Sequence, residues 1–237
     1  MDRGVGKHCE KCMHKMCVAK VPIFSDLTQE ELEKISSLIV RKRYQKGENI
    51  IQEDSYPDRL IILSEGKAKA FKISAEGREQ ILYIFSEGDF FGERNLFRNS
   101  RAPYNVEAIE ESGTCALNRK EFLKLLFDHP VIGTKIIEEL SSRMELLENA
   151  MQGMGARSMD LRINSILIQF AQKYGTRNDE GILVELPLSR EGIAGYIGTT
   201  RETVSRKLSL LSEDGTIKLI GSRKILIYDM EALINNM

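Results

Sequence analysis

Two groups of residues have types and spacings that could do chemistry. The first is a set of thiols: Cys9, Cys12 and Cys17 in one short segment, and Cys115 far downstream. The pattern Cys9-x2-Cys12-x4-Cys17 is flanked by Lys7, Lys11, Lys15 and Lys20. Nearby positive charge lowers a thiol's pKa and favours the thiolate, the form that binds metal or reacts. Crowded thiols in a cytosolic chain point to metal or redox chemistry rather than structural disulfides. Four thiolates suit a [4Fe–4S] cluster or zinc, and His8 or His14 could complete a zinc site. A disulfide between an N-terminal cysteine and Cys115 would instead make a thiol switch. Taken alone, Cys115 also reads as a small apolar residue of the kind that cores bury.

The second group lies in Thr199-Thr-Arg-Glu-Thr-Val-Ser-Arg206. Ser189 is placed to cap a helix running to about Tyr196, and Gly198 supplies the turn that follows. Thr199 and Glu202 are spaced as a capping box, so a second helix is expected to start there. On that helix Val204, Leu208 and Leu211 share one side, while Arg201, Glu202, Ser205 and Arg206 share the other. A recognition helix needs this division, because its first turns enter the major groove with polar side chains outward. Arginine can donate two bonds to guanine, and glutamate can accept from cytosine N4. Lys207, Arg190 and Arg223 are candidate phosphate contacts. An ordinary amphipathic helix carries the same stripe; the glycine turn before it and the paired strands after it favour a DNA reader.

The elements that must position these residues follow from pattern. Short apolar or alternating runs at Asn49–Gln52, Leu60–Leu63, Ala68–Ile73 and Gln80–Phe85 are punctuated by glycines. They predict an antiparallel barrel or jelly roll. Ser74-Ala-Glu-Gly-Arg reads as a hairpin turn, with Gly77 taking the positive φ. A short helix from Thr28 precedes the barrel, with Thr28 and Glu31 as its capping box. From about Pro130 to Met154 one long helix is expected. Its apolar residues Ile137, Leu140, Met144, Leu147, Met151 and Met154 follow the 3–4 spacing of a dimer seam. Gly153 and Gly155 read as a hinge. The last zone holds a helix over Asp160–Tyr174, a strand over Gly181–Leu186, the two short helices and a terminal hairpin turning at Gly221-Ser222. The expected fold class is therefore α+β: a β jelly roll, a long dimerisation helix and a winged helix-turn-helix. The corresponding domains are 1–20, cysteine-rich; 21–128, sensor; 129–156, dimerisation helix; and 157–237, DNA-binding.

Bulk properties narrow the function. The 237 residues carry a net charge of -1, so the basic excess common in nucleic-acid binders is absent overall. A local basic face remains compatible with that balance. No apolar run spans a bilayer, and the N-terminus lacks a signal-type apolar core, so a cytoplasmic protein without membrane partners is expected. His8, His14 and His129 form no constellation with a nucleophile and no phosphate loop is visible, so the chain is not expected to be an enzyme. An iron–sulfur electron carrier would account for the cysteines but not for the seam or the winged domain.

With Glu87-Gly-Asp-Phe-Phe-Gly-Glu-Arg-Asn-Leu-Phe in the barrel and Arg201-Glu-Thr-Val-Ser-Arg in the recognition helix, the whole chain resembles the CRP/FNR family of transcription regulators. The family fold is a cyclic-nucleotide-binding-like jelly roll, a dimerisation helix and a winged helix-turn-helix. The resemblance implies a homodimer on palindromic double-stranded DNA, working with RNA polymerase. Arg201, Glu202 and Arg206 match the residues that catabolite-activator-type members use on a TGTGA-like half-site. Ser205 matches a position that oxygen-sensing members use on a TTGAT-like half-site. For cyclic-nucleotide binding, Gly92-Glu93 is present, but the expected Arg-Ser pair aligns with Ala102-Pro103, which brings neither charge nor, at proline, an N–H; Arg101 lies one residue away. In the oxygen sensors, three N-terminal cysteines and one matching Cys115 hold a [4Fe–4S] cluster. They usually place five residues between the second and third cysteines, where this chain has four. Their prototype carries an acidic residue in the seam where this chain has Leu147, so the dimer is expected to persist without cofactor.

Overall fold

The computed structural model describes residues 21–98, 100–156 and 159–235. These form two compact units, 21–72 with 82–143, and 73–81 with 144–235. Cys9, Cys12 and Cys17 lie outside the described residues.

The first unit begins with a 3-10 turn, Pro22–Phe24, whose Ile23 and Phe24 are buried. Helix α1 (Gln29–Leu38) follows, started by the expected capping box between Thr28 and Glu31. The Thr28 N–H donates to Glu31 Oε2 at 2.7 Å, so two of the helix's orphan donors are satisfied at once.

Eight strands then make two four-stranded sheets: β1 (Val40–Tyr44), β2 (Asn49–Ile51), β3 (Arg59–Glu65), β4 (Ala68–Ile73), β5 (Glu79–Phe85), β6 (Phe90–Phe91), β7 (Asn105–Ala108) and β8 (Ser112–Asn118). One sheet has the order β1-β8-β3-β6, the other β2-β7-β4-β5. Side chains alternate across a strand, so each residue of the first sheet joins one of two cores. Ile61, Leu63 and Phe91 meet Ile51, Ala70, Phe85 and Val106 between the sheets. Leu60, Ile62, Cys115 and Leu117 face the other way, against the helices. Strand β3 is buried on both sides, which explains why it reads as an unbroken apolar run rather than an alternating one. At the β4–β5 connection, Gly77 has φ +75° and its N–H donates to Ser74 O, as the hairpin reading requires.

Three helices complete this unit. Helix α2 (Glu93–Arg98) and helix α3 (Arg119–Asp128) were not marked by the apolar pattern; Asn118 caps α3 by accepting from the Glu121 N–H. Helix α4 runs over Pro130–Ala156, 27 residues. Its Ile132 and Ile136 enter the helix-side core, with Leu140 partly buried against it. Ile137 and Met144 stay outside, 65% and 58% exposed. Of the expected seam, Leu140 leans toward the chain's own core and Ile137 and Met144 are exposed, while the side chains of Leu147, Met151 and Met154 lie outside the described residues. Helix α4 continues through Gly153 and Gly155, where a hinge is expected, to Ala156.

The second unit contains α5 (Met159–Tyr174), β9 (Gly175–Asn178), β10 (Gly181–Glu185), α6 (Arg190–Ile197), α7 (Arg201–Glu213), β11 (Ile217–Ile220), β12 (Lys224–Ile227) and α8 (Met230–Asn235). Its sheet has the order β11-β12-β10-β9. The fold is thus the α+β arrangement expected, with a four-stranded wing sheet where the apolar runs alone indicated three strands.

Candidate nucleic-acid interface and cysteine centre

Local chemistry sets the geometry of α6 and α7. Ser189 accepts from the Gly192 N–H at 3.1 Å and starts α6. Gly198 ends it in the left-handed region at φ +71°, where a side chain would be strained. The Thr199 N–H then donates back to Ala194 O at 2.9 Å, which ties Thr199 to the end of α6. The N-cap of α7 is consequently Thr200, one residue later than the Thr199–Glu202 box predicts, and it accepts from the Thr203 N–H. Glu202 thereby sits in the first turn, near the positive end of the helix dipole.

Val204, Leu208 and Leu211 are buried, while Arg201, Glu202 and Arg206 are exposed and Ser205 half-buried. Arg201, Glu202 and Arg206 make no hydrogen bond or ion pair with other described residues, so their functional groups are available to a ligand. Ser205 accepts from Arg190 Nη1 at 3.4 Å, which links the two helices of the motif. With Arg190 so held, the other two candidate phosphate contacts are also engaged within the unit. Lys207 pairs with Asp160 at 3.4 Å and its side chain is only 16% exposed. Arg223 donates to Pro187 O at 3.3 Å. A 13-residue helix of about 20 Å, with an apolar rear and an arginine-bearing front at its N-terminal end, has the shape and charge to enter a major groove.

On the sensor side Cys115 is 3% exposed. It lies in the helix-side core with Val21, Ile23 and Phe24. Opposite it across the β1–β8 and β3–β8 ladders stand Arg41 and Ile62. Cys17 is four residues before Val21, a stretch that extended chain covers in roughly 14 Å. Chain length alone therefore does not prevent the N-terminal thiols from approaching the core that Val21 shares with Cys115.

The barrel's Gly-Glu motif is built as follows. Gly92 has φ +88°, and a Cβ there would lie 2.6 Å from Arg59 O. Glu93 begins α2 and is 5% exposed. Its Oε1 meets Arg143 Nη1 of α4 at 3.5 Å, and its Oε2 is buried without a hydrogen-bond partner among the described residues. Burial pushes the Glu93 carboxyl above the usual carboxylate range, opposed by Arg143. Arg143 also donates to Phe90 O at 2.7 Å and to Glu139 at 2.9 Å, and lies over the Phe85 and Phe90 rings. The apolar spacing of α4 gives no hint of this arginine. Ala102 is buried, and Arg101 turns to the exposed Tyr56, donating to its hydroxyl at 3.0 Å.

Comparison with known proteins agrees with both halves. Residues 41–129 match the cyclic nucleotide-binding domain model, and 161–235 match the Crp-like helix-turn-helix domain model. The chain is 28% identical over 211 residues to the probable transcriptional regulator flp of Lacticaseibacillus casei, covering 89% of this chain and 94% of the relative. It is 27% identical to the CRP-like cAMP-activated global transcriptional regulator of Mycobacterium tuberculosis, covering 91% and 96%. The solved structure of FixK2 from Bradyrhizobium japonicum superposes with a TM-score of 0.74 at 25% identity, covering 83% and 96%. With a barrel and a helix-turn-helix that both match, the chain belongs to the CRP/FNR family of transcription regulators, DNA-binding proteins that act as dimers.

Proposed function

We propose that this regulator responds to oxygen or redox state through a [4Fe–4S] cluster held by Cys9, Cys12, Cys17 and Cys115, and that it acts in the cytoplasm as a binding protein without catalytic activity. The observation that carries this reading is the place of Cys115: buried, and sharing a core with the residues through which the thiol-rich segment joins the barrel. When bound, the cluster supplies an oxygen-labile crosslink between that segment and β8.

The chain's own packing provides a route from there to DNA. Cys115 shares its core with Ile132 and Ile136 of α4, so a change around Cys115 bears on the base of the dimer helix. Arg143 ties the same helix to the barrel through Phe90 and Glu93. The pairing of α4 with its counterpart sets the separation of two α7 helices on a palindromic site. On that site Arg201, Glu202, Ser205 and Arg206 read base edges, with Arg201 favouring a TGTGA-like half-site, and the dimer recruits RNA polymerase.

The relative named for cAMP activation raises a second effector. Ala102 and Pro103 bring no charge where the family's Arg-Ser pair is expected, and Arg101 donates to Tyr56 instead, so we assign cyclic nucleotide no role. Burial of Cys115 also favours a held ligand over a thiol that must meet an exchange partner. Purification without oxygen, followed by a visible absorption spectrum with iron and zinc analysis, tests the reading. A coloured, iron-bearing protein is expected; a colourless, iron-free one would refute the cluster and leave DNA binding intact.

A further inference from the structure

We propose that Arg190 fixes Ser205 as a hydrogen-bond donor toward the base edges, so that Ser205 selects a base bearing an acceptor and rejects cytosine; this rests on α7 being the recognition helix, as above. Ser205 lies four residues beyond Arg201 and three beyond Glu202, so it shares their face one turn further along α7. A hydroxyl carries one proton and two lone pairs, and by itself it can meet either a donor or an acceptor.

The surroundings of Ser205 remove that ambiguity. A serine inside a helix commonly spends its proton on the carbonyl four residues back. Ser141 and Ser142 of α4 do so, at 2.8 and 3.2 Å. Ser205 does not. Among the described residues the one partner of its Oγ is Arg190, the first residue of α6, whose Nη1 donates to it at 3.4 Å. An arginine can only donate, and its charge does not titrate. With a lone pair held by that cation, the hydroxyl proton turns away from the guanidinium and is left for a ligand. The same contact polarises the O–H and strengthens it as a donor. In the major groove purines offer N7, guanine also O6, and thymine O4, whereas cytosine offers only its N4 donor. A fixed donor therefore discriminates against cytosine. The remaining N–H groups of Arg190 bond no described residue, and the first helix of such a motif crosses the DNA backbone, so the same side chain is placed to hold a phosphate. Arg190 is thus a positioning residue that joins backbone contact to base readout.

The test uses the full chain as wild type, Ser205→Ala, Arg190→Met, Arg190→Lys and the Ser205→Ala/Arg190→Met double variant, with thermal melts to check folding. Each protein selects bound sequences from duplexes with a random core. Kd values are then measured on duplexes carrying each of the four bases where Ser205→Ala loses preference. Without Arg190 the Ser205 proton is expected to turn back to Arg201 O. Arg190→Met should then lose the same discrimination against cytosine, on the order of fivefold, that Ser205→Ala loses. The double variant should lose no further selectivity, and Arg190→Lys, which keeps a cationic N–H, should retain most of it. If Arg190→Met weakens all four duplexes equally and keeps the discrimination, Arg190 is a phosphate contact only and the proposal is overturned. A wild-type preference for cytosine at that position overturns it too, as does a Ser205→Ala protein that selects the same sequences as wild type. In these cases preferences elsewhere in the half-site leave the recognition-helix reading standing; a wild type without preference at any position overturns both. Should Arg190→Met not fold, the base that wild type prefers there decides alone.

Discussion

Arg201 and Glu93 show how differently two charged residues serve this chain. Arg201 opens α7 exposed and unengaged by other described residues, so its truncation leaves packing largely untouched. Arg201→Ala should therefore keep the melting temperature, weaken binding to a guanine-bearing half-site by roughly 1–3 kcal/mol, and flatten the preference at that base. Anisotropy titrations against duplexes varied at one position would check this; a loss spread equally over all sequences would mean a phosphate contact instead. Glu93 is a buried carboxyl whose pKa is raised by burial above its unfolded value. The folded state then binds the proton more tightly than the unfolded state. Its stabilising contribution is fully present below the ordinary carboxylate range and is lost as pH rises through the raised value. Relative to wild type, Glu93→Gln should thus gain stability as pH rises from acid to neutral, read as a widening difference in urea midpoints; a difference that narrows would contradict this. Glu93 was legible from its Gly-Glu motif. Arg143 was not, because its contacts with Phe90 and Glu93 come from a helix crossing the barrel, which no local spacing encodes.

At the scale of elements, α4 presents two apolar faces that a single periodicity cannot separate. Ile136 lies in the core and Ile137 is exposed, although they are adjacent in sequence. Ile137→Glu should leave the monomer folded and weaken pairing by roughly 2 kcal/mol or more if Ile137 is central to the seam. Ile136→Glu buries an unpaired charge and should unfold the barrel unit. Sedimentation and thermal melts of the two variants would separate these effects; an Ile137→Glu protein that pairs as tightly as wild type would remove Ile137 from the seam. The same element shows where sequence reading works and where it stops. The long helix, both helix-turn-helix helices and the capping box at Thr28 carry strong local signals. The shift of the α7 cap from Thr199 to Thr200 does not, because it depends on Thr199 bonding back to α6. Helix α3 went unmarked because only Phe122 of its residues is fully buried. Strand β1 went unmarked because Val40-Arg-Lys-Arg-Tyr exposes most of its side chains.

For the whole molecule, a net charge of -1 is reconciled with DNA binding by where the charges stand. Arg201 and Arg206 make no hydrogen bond or ion pair with other described residues, while Lys207 and Arg223 are spent on internal contacts. Such a protein should depend on helix placement more than on bulk attraction, which suits control through the dimer helix. Under the proposed function, the state of the cysteine centre sets DNA affinity. Its most direct test is the Kd for a labelled palindromic TGTGA-type duplex, measured without oxygen and again after air exposure, with iron counted in the same samples. Affinity is expected to fall on the order of 5–150-fold in step with iron loss, and Cys115→Ser to begin at the weaker value. An iron-bearing protein whose Kd does not change when the iron is lost would contradict it.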